Sequence, residues 1–132
     1  FEPEMRRAAV STHRLQNALR LAVQREEFVV HYQPIVSLRD RTISGFEALV
    51  RWQHPERGLL APVEFISVAE HSGLIQQLGD WVLTEACSTL KRWTSTKDFD
   101  SRVLMTINVS VYQLRQDDWV GKVRAITAQM GI

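Results

Sequence analysis

The run Phe46-Glu47-Ala48-Leu49-Val50-Arg51-Trp52 constrains this chain more than any other stretch, because it reads as a strand that is apolar on both faces yet carries two charges. Side chains alternate along a strand, so Glu47, Leu49 and Arg51 share one face, and Phe46, Ala48, Val50 and Trp52 share the other. A strand apolar on both sides belongs in a sheet covered on both sides, as in a parallel sheet or a barrel. The carboxylate and the guanidinium stand four rises apart, roughly 13 Å, with Leu49 between them. Either they form a plain same-face ion pair, or they are functional, since charges in such surroundings are costly unless paired or used. In the second case one end holds a cation and the other grips an anionic substrate.

The surrounding pattern is α/β. Residues 4–26 lack Gly and Pro and carry Ala8, Thr12, Leu15, Leu19 and Ala22 at about heptad spacing, which predicts a helix with a narrow apolar stripe. That helix packs on its own domain, or it links to an upstream domain or a second copy. Phe28–Val36 reads as a strand, joined through the polar turn Arg39-Asp40-Arg41 to a strand over 42–52 in an antiparallel hairpin. Pro34, with no amide donor, marks a strand end, edge or bulge. Residues 53–58 read as a polar loop. Pro62 opens a helix to about Ser72, which Gly73 ends in the left-handed conformation. Ile75, Leu78, Val82, Leu83, Ala86, Leu90 and Trp93 recur at helical steps and give the clearest amphipathic helix. Residues 94–101 form a loop, Val103–Val109 a largely buried strand, and Val111–Met130 a helix broken near Gln116-Asp117-Asp118.

Composition excludes several classes. The net charge of +1 gives no broad attraction for DNA, RNA or an acidic membrane. Cys87 is the only cysteine, so there is no intrachain disulfide or CxxC site, and a reducing, cytoplasmic setting fits. No run approaches the roughly 20 apolar residues of a membrane span; an anchor upstream stays open. The chain starts at Phe1 and stops at Gly131-Ile132 directly after a helical pattern, so it is expected to be a piece of a longer protein.

Glu47 and Asn108 together offer hard oxygen donors suited to Mg²⁺ or Mn²⁺ and poor for zinc. Asn108, where an apolar strand passes into a loop, is either a satisfied turn or cap residue, with Ser110 beside the next helix, or a ligand at the mouth of a barrel. Gln33 is either a structural amide or a site residue. Glu70 reads as a cap or positioning residue on a short helix that turns Phe65, Ile66 and Ala69 inward. The four histidines show no metal-binding spacing, and neither a Gly-rich phosphate loop nor a nucleophile elbow is present.

Taken in order, Tyr32-Gln33-Pro34, Glu47-Ala48-Leu49 with Arg51-Trp52, His54-Pro55 with Gly58-Leu59, Pro62 with Phe65-Ile66, Ala69-Glu70 with Ser72-Gly73-Leu74, Gly79 with Trp81-Val82-Leu83, Ala86-Cys87, and Asn108-Val109-Ser110 with Gln113 resemble the EAL domain of cyclic-di-GMP phosphodiesterases. The match runs from about Glu27 to the end. It implies the N-terminal part of a TIM-like (β/α) barrel with an antiparallel first strand, in a signalling enzyme that hydrolyses cyclic di-GMP to linear pGpG with Mg²⁺ or Mn²⁺. By the resemblance Glu47 and Asn108 are catalytic metal ligands, Arg51 grips a substrate phosphate, Leu49 lines the nucleotide pocket and Gln33 lies in the site. Residues 1–26 resemble the linker helix that follows a GGDEF domain, which divides the chain into 1–26 and 27–132. Such a barrel takes about 250 residues and eight strands, and three are read here, so this polypeptide alone is expected to be inactive and, with open strand edges, to self-associate or dimerise. The rival readings are a non-catalytic cyclic-di-GMP receptor and a truncated dimerising interaction protein.

Overall fold

The computed structural model describes residues 2–96 and 99–132. Phe1 of the expected interdomain junction, and Lys97 and Asp98 of the expected 94–101 loop, lie outside the described residues. Helix α1 (Glu2–Gln24) leads into strand β1 (Phe28–Val36) and strand β2 (Ile43–His54). After them come a short strand β3 (Gly58–Leu60), a single 3-10 turn (Pro62–Glu64), α2 (Ile66–Ser72) and α3 (Ile75–Ser95). Strand β4 (Leu104–Ile107) and helices α4 (Val111–Leu114) and α5 (Trp119–Met130) complete the order.

The hairpin forms as the alternation predicts, with Gln33 opposite Glu47 and His31 opposite Leu49. Its turn is closed by the Asp40 carboxylate, which accepts from the Thr42 hydroxyl at 2.9 Å. Hydrogen bonds from Ser37 and Thr42 hold that carboxyl below its usual range. Pro34 lies on an edge strand, since β1 pairs with β2 alone, and the register slips just beyond it, between Ile35 and Val36.

Residues 53–58 are not simply a loop. Strand β2 runs on to His54, and β3 folds back on it with Trp52 opposite Leu60. The His54 ring caps this turn, Nδ1 accepting from the amides of Glu56 and Arg57 at 3.1 Å each. On the same flank as β3, the one away from β1, β2 pairs in parallel with β4, Glu47 opposite Thr106 and Ala48 opposite Ile107. The helix opened by Pro62 also divides, because Phe65 leaves helical geometry at φ −139° before α2 begins, while Gly73 ends α2 at φ +79° as expected.

The core lies on one side of the sheet. Phe28, Trp52 and Phe65 pack with ring centroids 5.7 to 5.9 Å apart, joined by Ile75, Leu78 and Val82 of α3 and by Leu19 and Ala22 of α1. Each of the buried Leu, Ile and Val side chains among them contributes about 1.5 to 3 kcal/mol. A second cluster joins Tyr32, Phe46, Trp93 and Phe99. Burial pushes the Tyr32 phenol above its ordinary pKa, and its hydrogen bond to Thr89 Oγ1 at 2.9 Å opposes that rise.

Two expectations about burial are corrected. Strand β4 is not largely buried: Leu104 is 66% exposed, because β4 is a sheet edge with β2 on one flank only. Strand β2 is covered on its helix side alone, leaving Glu47, Leu49 and Arg51 partly open. The stripe on α1 divides as well, with Leu19 and Ala22 buried while Ala8 and Thr12 are exposed.

Candidate functional site

Three strands converge on the open face of the sheet. Alternation along β1, β2 and β4 aims Gln33, Glu47 and Thr106 from one row of Cα partners, with Leu49 and Arg51 following along β2. Parallel pairing of β2 with β4 carries the chain out at Asn108, beyond the end of β4. There the Asn108 amide meets the Glu47 carboxylate, Nδ2 donating to Oε1 at 2.7 Å. Residues 61 positions apart thus share one end of the sheet.

Glu47 and Arg51 do not form the plain ion pair. The ion pairs among the described residues are Arg57–Glu64, Arg102–Asp100 and Lys122–Asp80. Arg51 turns its guanidinium to the Val50 carbonyl, with Nη1 to O at 2.9 Å. It stays partly exposed, leaving the remaining donors of its fork for an anion. Gln33 is exposed and lies directly across from Glu47. Thr106 shares that row, and the reading of the sequence passed over it; the signal was its position two residues before Asn108 on the same strand face.

The Asn108 segment is held by the start of α4. Ser110 is the N-cap: its Oγ accepts from the Tyr112 amide at 3.3 Å, and its own amide donates to Gln113 Oε1 at 2.9 Å. The Ser110 hydroxyl in turn donates to Glu70 Oε1 at 2.7 Å, tying α2 to the same turn. Gln113 is 3% exposed and packs where a side chain at position 79 would stand, since a Cβ on Gly79 would fall 1.7 Å from its Nε2. Between α2, α3 and this turn lies a cavity of about 410 Å³, lined by Leu49, Pro62, Ile66, Glu70, Asn108 and Ser110 among others.

As a donor set, a carboxylate and an amide in contact suit a hard divalent cation. They are two ligands only, and no group of three or more His, Cys, Asp or Glu that could hold a metal occurs among the described residues. The arrangement fits part of an oxygen-ligand site, with a cationic side chain, Arg51, four residues from Glu47 along the same strand face.

An open part-barrel that gathers an acid, an amide and an arginine on one face of its sheet defines a class, that of the TIM-like (β/α) barrels. Within that class the family is specific: the EAL domain profile matches residues 16–132, and the chain belongs to the EAL domain family. It is 39% identical over 124 residues to the bifunctional diguanylate cyclase/cyclic di-GMP phosphodiesterase MucR of Pseudomonas aeruginosa, covering 94% of this chain and 18% of MucR. To the cyclic di-GMP phosphodiesterase PdeR of Escherichia coli it is 40% identical over 114 residues, 86% of this chain and 17% of PdeR. The fold superposes on the solved MucR phosphodiesterase in complex with c-di-GMP at a TM-score of 0.84 and 36% identity, covering 90% of this chain and 47% of that one. The chain therefore spans under a fifth of these two relatives and about half of the solved domain. What it forms is an incomplete TIM-like barrel. No described helix is long and apolar enough to cross a membrane.

Proposed function

We propose that the protein carrying this sequence is a metal-dependent phosphodiesterase that hydrolyses cyclic di-GMP to linear pGpG, and that the open face of the sheet is one wall of its site. The contact of Asn108 with Glu47 at 2.7 Å carries this reading, because it joins the acid of the Glu-Ala-Leu run to the one amide at the end of β4. Glu47 and Asn108 would hold Mg²⁺ or Mn²⁺, and Gln33 faces the same space. A bound ion of this kind would polarise phosphoryl oxygens and lower the pKa of a coordinated water toward its use as nucleophile. Arg51, on the same strand face, binds a phosphate of the substrate and offsets charge developing on it. Leu49, between Glu47 and Arg51, gives an apolar surface for the nucleoside.

Two ligands do not complete a hydrolytic site, so the 132-residue polypeptide by itself does not turn over cyclic di-GMP. Its open edges at β1 and β4 drive self-association, readable by light scattering; a monodisperse monomer at micromolar concentration would contradict this. The exposed first half of α1 fits a linker helix from an upstream domain such as a GGDEF domain, a reading supported by the two activities in the name of MucR.

The test is turnover of cyclic di-GMP by the full-length protein with Mg²⁺ or Mn²⁺. Glu47→Ala is expected to lower it on the order of a hundredfold or more, as loss of a group that stabilises transition-state charge does. Unchanged turnover in that variant would remove the assignment, and binding without any turnover by the natural protein would make it a receptor.

A further inference from the structure

We infer that Glu70 is a positioning residue for the Glu47–Asn108 pair, acting through Ser110; the inference rests on the reading of that pair as metal ligands. Asn108 lies past the end of β4 and is exposed, so the sheet ladder alone does not fix its side chain. What fixes the segment begins two residues later. Gln113 holds the Ser110 amide from within α4, and Gln76 Nε2 donates to the Tyr112 carbonyl at 2.9 Å, so these two fix α4 to α3. The Glu70 bond differs in where it comes from. It reaches from α2, 40 residues away in sequence, to the Ser110 hydroxyl two residues beyond Asn108.

Helix α2 is itself seated on the core behind β2, with Ala69 at 0% exposure next to Glu70 and Phe65 at 0% just before the helix, packed on Trp52. Glu70 thus refers the Asn108 turn to the strand that carries Glu47, on the side opposite Glu47 itself. A hydroxyl-to-carboxylate bond of 2.7 Å is charge-assisted and directional. Glu70 also lines the cavity that Asn108 and Leu49 line, where partial burial keeps water from competing freely for the bond. Partners that orient metal ligands without touching the metal typically alter metal affinity about 10- to 100-fold.

The test is a Mn²⁺ titration of the full-length protein followed by electron paramagnetic resonance, without substrate, at a temperature where circular dichroism shows each variant folded. Glu70→Ala and Ser110→Ala are each expected to weaken Mn²⁺ binding about tenfold. Because they remove the same bond, the double variant should be no weaker than the worse single one. Glu70→Gln keeps an acceptor oxygen and should return affinity to within about threefold of the natural protein; it also carries the test if Glu70→Ala fails to fold. A merely structural tie would lower thermal midpoints and leave Mn²⁺ affinity in place. Affinity within about twofold of natural in folded Glu70→Ala, losses that multiply in the double variant, or a Gln variant as weak as Ala would each overturn the inference. Glu47→Ala in the same titration separates the two levels: if it too binds Mn²⁺ normally, the metal-ligand reading fails, whereas loss there with Glu70→Ala unaffected refutes the positioning role alone.

Discussion

On the helix side of the sheet Phe28, Phe46, Ala48 and Trp52 are buried, while on the other side Gln33, Leu49, Arg51 and Thr106 are open or half-open around the Glu47–Asn108 contact. Both sets come largely from the same strand, interleaved one residue at a time. A period of two is what lets one segment hold the fold with its even positions and present chemistry with its odd ones. Stability and function should therefore separate cleanly between neighbouring residues of β2. Trp52 and Arg51 are adjacent in sequence and belong to different problems.

The largest expected effect breaks the buried side. Trp52 is 0% exposed and its indole Nε1 donates to Glu27 Oε2 at 2.9 Å. Trp52→Ala should cost about 3 to 5 kcal/mol from cavity formation, with the stranded carboxylate adding to it; denaturant unfolding measures this. The opposite face should behave differently, Glu47→Ala changing stability by no more than about 0.5 kcal/mol. A loss of Trp52 size from Glu47→Ala would erase the distinction between the faces.

Gly79→Ala tests the support of the open face from behind. The added methyl must displace the Gln113 amide that holds Ser110, at about 1 to 3 kcal/mol, and thermal unfolding reads it. The smallest effect lies remote from both faces. Arg102 hydrogen bonds hold the exposed Asp100 carboxyl down from 3.8 to about 2. A lowered folded-state pKa means the contribution is present above 3.8 and is lost as pH falls through about 2. Carboxyl-carbon NMR should place the Asp100 midpoint near 2, and Arg102→Ala should return it toward 3.8.

Much of the fold was readable because local rules govern it. Strand β1 has the bounds its β-branched run suggests, Asp40 and Thr42 supply the turn, Gly73 ends α2, and the polar Gln116-Asp117-Asp118 stretch separates α4 from α5. Strand β3 was missed because three residues carry no periodicity; it exists only by pairing with the end of β2. The exposure of Leu104 was misread for a related reason, since a strand of high β-propensity is buried only if something lies beside and above it. At the site, alternation put Glu47 and Arg51 on one face, and the donor chemistry and the family resemblance joined Asn108 and Gln33 to them. The contacts that hold the group were hidden, because parallel pairing across 61 residues and the Ser110–Glu70 bond across 40 are set by topology.

The central claim is that the open face of β2 divides its labour, Glu47 toward a metal and Arg51 toward a phosphate. A calorimetric titration of cyclic di-GMP into the full-length protein in metal-free buffer tests it most directly. Arg51→Ala should weaken binding about tenfold or more through loss of a charge-assisted contact, while Glu47→Ala should bind as tightly as the natural protein or tighter, having lost a like charge. Unaltered binding by Arg51→Ala, or binding abolished by Glu47→Ala without any metal present, would contradict the account.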